Sequence, residues 1–439
     1  MSGQPPLLRR LGLASAAALV VSNMIGTGVF STTGFLAGDL GRPSLVISIW
    51  AAGAFCALLG ALCYSELAIN FPVSGGEYVY LSQAYGPTWG FISGWVSLFA
   101  GFSAPIAAAA LSCAAYIAFF VPSWWPQWIA TALVLFFATW NLFGIRLAAR
   151  LQNLLTGLKI ALLIAFVACG LAFGNGDWLN FEHPAHRWSA TPLWEQFAVS
   201  LFWIYVAYSG WNAAVYVAEE IKNPKRTLPL AMLVGASVVA VLYVALNVAF
   251  LYAVPLQSMQ GVIAIGALAA THLFGAGVAG LFSALMAFGL LSTVNAMTIA
   301  GPRVYYAMAR NGHFPRWAAA VHSRWRTPVA SILAQAACTL VLLATPFPQL
   351  VVYIGFTLNL FAVLSVASLF LFRRRPGWRT LKAVSFAYPL IPCLFIAIGM
   401  WMTIEGILQQ PLVSLQAALT LASGALLYRW SRQKSPSRT

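Results

Sequence analysis

Charge is what this chain lacks most. Of its 439 residues only 8% are Asp, Glu, Lys or Arg, and only nine are acidic. Soluble domains carry about 25% charged residues. With 61% hydrophobic residues, the chain reads as a body embedded in a membrane rather than in water. Cysteine is sparse as well. Cys56, Cys63, Cys113, Cys169, Cys338 and Cys393 all fall in apolar stretches, and none shows C-x-x-C or metal-ligand spacing. A disulfide framework or a zinc site is therefore excluded, and the six read as buried free thiols acting as small hydrophobes. His183, His186, His272, His313 and His322 sit in loops or at the edges of apolar runs, so no metal site or proton relay is built on histidine. No cofactor is expected. No long linker or low-complexity segment divides the chain, which reads as one transmembrane domain over 1–439.

What the chain has instead is long apolar runs. They are predicted near 13–38, 44–69, 89–120, 127–144, 151–173, 195–217, 228–254, 274–300, 328–345, 349–371, 383–402 and 411–429. A bilayer crossing takes about 20 such residues, so the expected fold is an all-α integral membrane protein of about twelve transmembrane helices. The first run follows Arg9 and Arg10 and continues too far, with no clear small-residue cleavage site, to read as a removed signal peptide. The moderately apolar, glycine-rich segment 255–272 is expected to pack over the outer face as a short helix or loop.

A net charge of +15 suggests a nucleic-acid partner until the bases are placed along the chain. Arg9, Arg10, Arg146, Arg150, Lys222, Lys225, Arg226, Arg303, Arg310, Arg316, Arg324 and Arg326 gather at loops on one side. Arg373, Arg374, Arg375, Arg379, Lys382, Arg429, Arg432, Lys434 and Arg438 join them, making 21 of the 24 bases. Only Arg42 and Arg187 fall on the other side, and Lys159 falls within a span. The positive-inside rule then places both termini in the cytoplasm of a cell-membrane protein. The basic excess reports topology, and the partner is the lipid bilayer rather than nucleic acid.

Two runs are interrupted by small residues, at Ser22-Asn23-Met24-Ile25-Gly26-Thr27-Gly28-Val29-Phe30 and at Val206-Ala207-Tyr208-Ser209-Gly210-Trp211-Asn212. Backbone that leaves the helix at membrane depth is tolerated only where it is buried in protein or lines a cavity. A matched pair in the two halves of a chain points to a transporter's binding site. Each broken run is followed by four others. Five is odd, so the second half enters from the opposite side, the arithmetic of an inverted repeat over about 11–174 and 194–372, with two further helices over about 381–430.

Lys159 is the one charge well inside a span. Nine residues beyond Arg150, at about 1.5 Å each, it lies roughly 13 Å deep. An ammonium there is a functional-site expectation, either held charged against carbonyls or cycling a proton. No carboxylate reads as mid-depth: Asp39, Asp177, Glu182, Glu195 and Glu405 read as outer-face residues, and Glu66, Glu77, Glu219 and Glu220 as inner-end ones. A cation-selective cavity is disfavoured and a zwitterion fits. The N–H groups after Gly28 suit a carboxylate, and freed carbonyls from Val206 to Ser209 suit an ammonium. The Glu219-Glu220 pair is expected to pair with nearby bases and steady the inner end, and the Gly75-Gly76 loop to be a tight turn.

Four stretches then carry a resemblance. Ile25-Gly26-Thr27-Gly28-Val29-Phe30 is the first. Tyr64-Ser65-Glu66-Leu67 with Phe71-Pro72-Val73-Ser74-Gly75-Gly76-Glu77-Tyr78-Val79-Tyr80 is the second. Tyr208-Ser209-Gly210-Trp211-Asn212 with Glu219-Glu220-Ile221-Lys222-Asn223-Pro224-Lys225-Arg226 follows, then Gly301-Pro302-Arg303 with Met308-Ala309-Arg310-Asn311-Gly312. In this order they resemble the amino acid–polyamine–organocation transporters, in the L-amino acid transporter-like branch. The resemblance implies a five-plus-five inverted-repeat (LeuT-like) fold with discontinuous first and sixth helices. It implies sodium-independent transport of neutral amino acids by alternating access, as an exchanger or a proton-coupled symporter. By the same resemblance Ile25, Gly26, Thr27 and Gly28 hold the substrate carboxylate, and Val206, Ala207, Tyr208 and Ser209, with Gly210 beside them, face the amine. Lys159 takes the place of a sodium ion, bridging carbonyls near Met24 to hydroxyls for which Ser292 and Thr293 are the candidates.

Two departures accompany the resemblance. Val206 stands where many relatives carry an aromatic gate, leaving Tyr205 or Tyr208 to cover the substrate. The loop Val121-Pro122-Ser123-Trp124-Trp125-Pro126 lacks the cysteine that joins animal members to an ancillary glycoprotein, so no disulfide-linked subunit is expected. With its short termini the chain reads as a bacterial member. Rival classes fare worse: a membrane-embedded transferase needs convergent acid, base and nucleophile. A sensor adds a soluble domain, and a channel needs a continuous polar stripe.

Overall fold

The computed structural model describes residues 9, 11–73, 75–142, 145–310, 314–322 and 327–433. Arg10, Ser74, Asn311, Gly312, His313, Arg324, Arg326, Lys434 and Arg438 lie outside the described residues, as do the side chains of Arg146, Arg150, Glu220, Arg303, Arg310, Arg316 and Arg432.

Among the described residues the secondary structure is helical, with one isolated parallel bridge between Leu11 and Ile221. The first apolar run is split into α1 (Leu13–Met24), α2 (Thr27–Ser31) and α3 (Thr33–Leu40). α4 (Pro43–Asn70) and a short α5 (Glu77–Tyr85) follow. α6 (Pro87–Val96) and α7 (Ala104–Ile117) are joined through a π-helical turn at Ser97–Ser103. α8 (Pro126–Leu142) and α9 (Ile145–Phe173) complete the first half. The second contains α10 (Leu193–Tyr208), α11 (Pro224–Ala253), α12 (Leu256–Met259), α13 (Ile265–Phe274), α14 (Ala276–Arg310), α15 (Val329–Leu342) and α16 (Phe347–Phe372). Last come α17 (Lys382–Phe386), α18 (Leu390–Gln409) and α19 (Pro411–Gln433).

Proline at the first helical turn starts α4, α6, α11 and α16, where a missing N–H costs nothing. Gly41, at φ 66°, ends α3 in the left-handed region that glycine enters freely. The π turn lies just before Pro105, whose ring cannot continue the regular hydrogen-bond ladder. Segment 255–272 forms the short helices α12 and α13.

Eight helical stretches among the described residues are long and apolar enough to cross a membrane. The other four predicted runs coincide with shorter apolar elements: α8 at 17 residues, Gly157–Phe173 of α9, α10 at 16 and α15 at 14. α10 is short because the chain unwinds after Tyr208. α11 packs on α1 and α4, α14 on α7 and α9, and α16 lies among α10, α18, α5 and α7. The outward surface is apolar, with Val241, Val341 and Leu412 more than 70% exposed, as lipid-facing helices require. That inversion corrects the cysteine reading. Only Cys63 and Cys113 are buried, whereas Cys169 and Cys393 are exposed on helix faces that the apolar pattern alone does not separate from the core.

Candidate functional site

The first break follows from two residues. α1 ends at Met24, Ile25 takes φ −72° and ψ 88°, and Gly26 is extended at φ −128° and ψ −150° before α2 begins. A helix end leaves its last carbonyls without intrahelical donors, and here they find specific ones. The Lys159 ammonium, 1% exposed, donates to the carbonyls of Ile25 and, at 3.4 Å, Ser22. The Met24 carbonyl is taken by the Tyr243 hydroxyl at 2.6 Å. Lys159 thus meets carbonyls near Met24, one residue after it and two before it, while neither candidate hydroxyl of α14 is bonded to the ammonium among the described residues. The Ser292 hydroxyl donates to its own helix at the Gly289 carbonyl (2.8 Å), and Thr293 Oγ1 is buried with no partner among the described residues. The lysine stem lies against Gly289, where a Cβ would stand 3.4 Å from Lys159 Cγ.

The second break follows Tyr208. Ser209 turns extended at ψ 144° while its N–H and hydroxyl both donate to the Val206 carbonyl, at 3.1 and 2.7 Å. No donor among the described residues bonds the carbonyls of Ala207 or Tyr208. Gly210, at φ 102°, approaches the backbone of Asn23 so closely that a Cβ would stand 2.8 Å from its carbonyl carbon. A Cβ on Gly28 would fall onto the backbone of Ala207. The two breaks therefore touch at both ends through glycine.

Between them lies a cavity with about 470 Å³ of space free of atoms, open solvent included. Met24, Gly26, Thr27, Gly28, Val206, Ser209 and Thr293 line it, with Asn23, Thr32, Pro105, Ala108, Met297, Phe347, Val351 and Ile354. No carboxylate is among the lining residues. Of the remaining predicted site residues, Ile25 is fully buried beside the cavity and Ala207 packs on Gly28. Tyr208 points away, its hydroxyl donating to the Trp50 carbonyl at 3.1 Å. Tyr205 also turns aside, toward the Leu358 carbonyl (3.3 Å), so neither tyrosine covers the cavity.

Its cover comes from residues the sequence reading missed. Phe35 stacks on Trp203 with centroids 4.7 Å apart and planes 8° from parallel, and both rings pack on Phe347. All three are under 9% exposed, so the α3 end of the cavity is shut. At the other end Asn23 is exposed although it lies mid-way along the first apolar run, and the cavity opens beside it.

Carboxylates frame the two ends. Glu77 accepts from the Tyr64 hydroxyl at 3.0 Å, Asn212 Nδ2 at 2.6 Å and the Tyr216 hydroxyl at 2.6 Å, tying the unwound stretch to α4 and α5. Glu77, from the second of the four motif stretches, thus holds the unwound stretch through Asn212 and Tyr216. Asp39, at the closed end, accepts from the Ser200 hydroxyl at 3.0 Å. Burial pushes its carboxyl up to about 6, partly offset by Ser200 and by the nearby Arg187 guanidinium. Glu405, read as an outer-face residue, is 3% exposed, one turn inside the end of α18.

Residues 11–422 match the amino acid permease family. The chain is 30% identical over 410 residues to the human large neutral amino acids transporter small subunit 2, covering 90% of this chain and 76% of that protein. It is 29% identical over 440 residues to the human b(0,+)-type amino acid transporter 1, with coverages of 96% and 88%. With the mouse Asc-type amino acid transporter 1 it shares 27% over 437 residues, with coverages of 96% and 81%. The match runs the length of both helix breaks and of every element that lines the cavity between them: the chain belongs to the amino acid permease family.

Proposed function

We propose that this permease carries neutral L-amino acids across the cell membrane by alternating access, without sodium, as an exchanger or a proton-coupled symporter. The observation that carries the reading is the convergence of two unwound helices on one cavity that has no carboxylate in its wall. A substrate carboxylate sits at the N–H groups of Thr27 and Gly28, where the helix dipole favours an anion. Its ammonium sits at the open carbonyls of Ala207 and Tyr208. The side chain then faces Pro105, Val206, Phe347, Val351 and Ile354, an apolar wall that suits a neutral substrate.

Lys159 holds the carbonyls of the first break as a bound cation would, which supports independence from sodium. The shut aromatic end and the opening beside Asn23 suit an inward-facing state of a five-plus-five inverted repeat, in which release precedes closure around Glu77. The twelve apolar runs support twelve crossings, and the distribution of bases supports cytoplasmic termini in an inner-membrane protein. One relative is named a small subunit; the loop from Val121 to Pro126 has no cysteine for a disulfide to a partner, and this chain is inferred to work without one.

The test is uptake of a radiolabelled amino acid panel into proteoliposomes, with internal amino acid, pH and sodium varied in turn. Uptake of neutral members that persists without sodium is expected. Well-folded protein that neither binds nor moves any member overturns the assignment.

A further inference from the structure

We propose that the basic segment after α16 is a binding site for the phosphate headgroups of acidic phospholipids. Five bases fall within residues 373–382, and no acidic residue occurs between 373 and 388. Two of the five are engaged within the protein. Arg373 makes a bidentate pair with Glu66 at 2.7 and 2.6 Å and lies 3.8 Å over the Tyr388 ring. Arg375 donates to the Gln83 carbonyl at 2.8 Å and covers the Phe372 ring. The other three, Arg374, Arg379 and Lys382, are exposed, and their side chains form no hydrogen bond or ion pair among the described residues.

These three cations stand on a fixed frame. Glu66, fully buried, also accepts from Trp378 Nε1 and from the Leu381 N–H, each at 3.0 Å. Asn70 bonds the Arg379 backbone at both its N–H (2.9 Å) and its carbonyl (2.8 Å). Trp378 stacks on Phe372 at 5.1 Å. Beside this frame Phe386, which ends α17, is 95% exposed. Unpaired bases around a bare aromatic match a lipid surface, where the ring enters the acyl boundary and the bases meet phosphates. A soluble anion would leave Phe386 without a role, and this decides for the lipid. The inference rests on the orientation proposed above, which puts this end of α16 at the inner leaflet.

Each base near an anionic surface contributes about fivefold to partitioning, so three contribute on the order of 100-fold. The test is hydrogen exchange of the 373–388 amides, by mass spectrometry, in nanodiscs of phosphatidylglycerol or phosphatidylcholine. Slower exchange in phosphatidylglycerol is expected for the unaltered protein. That difference should vanish in the triple variant Arg374→Gln, Arg379→Gln, Lys382→Gln and persist in Arg374→Lys, Arg379→Lys, Lys382→Arg. Equal exchange in the two lipids, or full protection in the glutamine variant, overturns the proposal. Protection by glycerol phosphate added to phosphatidylcholine nanodiscs overturns it in favour of a soluble anion. None of these readouts needs transport, so a failure here is separable from a failure of the transport reading.

Discussion

Replacing Lys159 by alanine isolates what the buried ammonium does. It takes the ammonium from the Ile25 carbonyl and ends the longer contact to the Ser22 carbonyl, at a cost of about 1–3 kcal/mol for an unsatisfied group. Removing the ammonium also relieves its own burial, a penalty of several kcal/mol. These contributions have opposite sign and similar size, so Lys159→Ala should insert and fold with only a modest change in melting temperature. Function should suffer far more, because the freed carbonyls belong to the backbone that leads directly into Gly26, Thr27 and Gly28. Loss of 1–3 kcal/mol of positioning there corresponds to about 5- to 150-fold in substrate affinity. Uptake into proteoliposomes at several substrate concentrations and external pH values, beside a thermal-shift titration of the same preparation, measures both effects. Transport should be abolished, or uncoupled from its driving gradient. Unchanged turnover and pH response in a well-folded variant would refute the role given to Lys159.

Three further outcomes follow from the geometry. Gly28→Val should reduce uptake at least tenfold by forcing α2 from Ala207, whereas Gly157→Ala, where an added Cβ meets nothing within 4 Å, should leave it unchanged. Val206→Phe adds bulk to the cavity wall, and overpacking of about 1–3 kcal/mol should raise KM for leucine and phenylalanine about tenfold while alanine is little affected; equal effects on both sizes would contradict the wall assignment. Asp39 has a folded pKa raised from 3.8 to about 6, so its protonated form stabilises the fold below pH 4 and that contribution is lost as pH rises to 6. It is at most ~3 kcal/mol, and less for a partly exposed group. Asp39→Asn should therefore flatten the melting-temperature profile between pH 4 and 6 and stabilise the protein at pH 7; a profile parallel to that of the unaltered chain would rule this out.

The two breaks were legible in the sequence because their cause is local. Gly26 stands where the first helix unwinds, and Gly28 and Gly210 stand where one backbone meets another so closely that no Cβ fits. Lys159 was legible for a different reason, as a single cation in an apolar run. Side-chain direction was not legible. Tyr208 lies one position from Ser209, yet packing against Trp50 and Tyr243 turns it out of the cavity. The cover is a tertiary product: Phe35, Trp203 and Phe347 come from three separate helices of a chain that is 14% aromatic, so no local pattern marks them. Glu77 was hidden by the brighter Glu219-Glu220 pair, because its three donors come from α4 and from the unwound stretch after α10. The burial of Glu405 was not legible either, because it comes from the packing of its neighbour Gly406 on Phe202 and Phe356.

The central claim is that one opened helix receives the acid end of the substrate and the other its amine end. Competition in sodium-free proteoliposomes tests it most directly, with labelled leucine challenged by its decarboxylated amine, by its deaminated acid, and by unlabelled leucine. The account predicts that leucine competes and that neither half-molecule does, even at about 100-fold excess, since each lacks one of two interactions of several kcal/mol in total. Competition by either analogue as effective as that of leucine would contradict it.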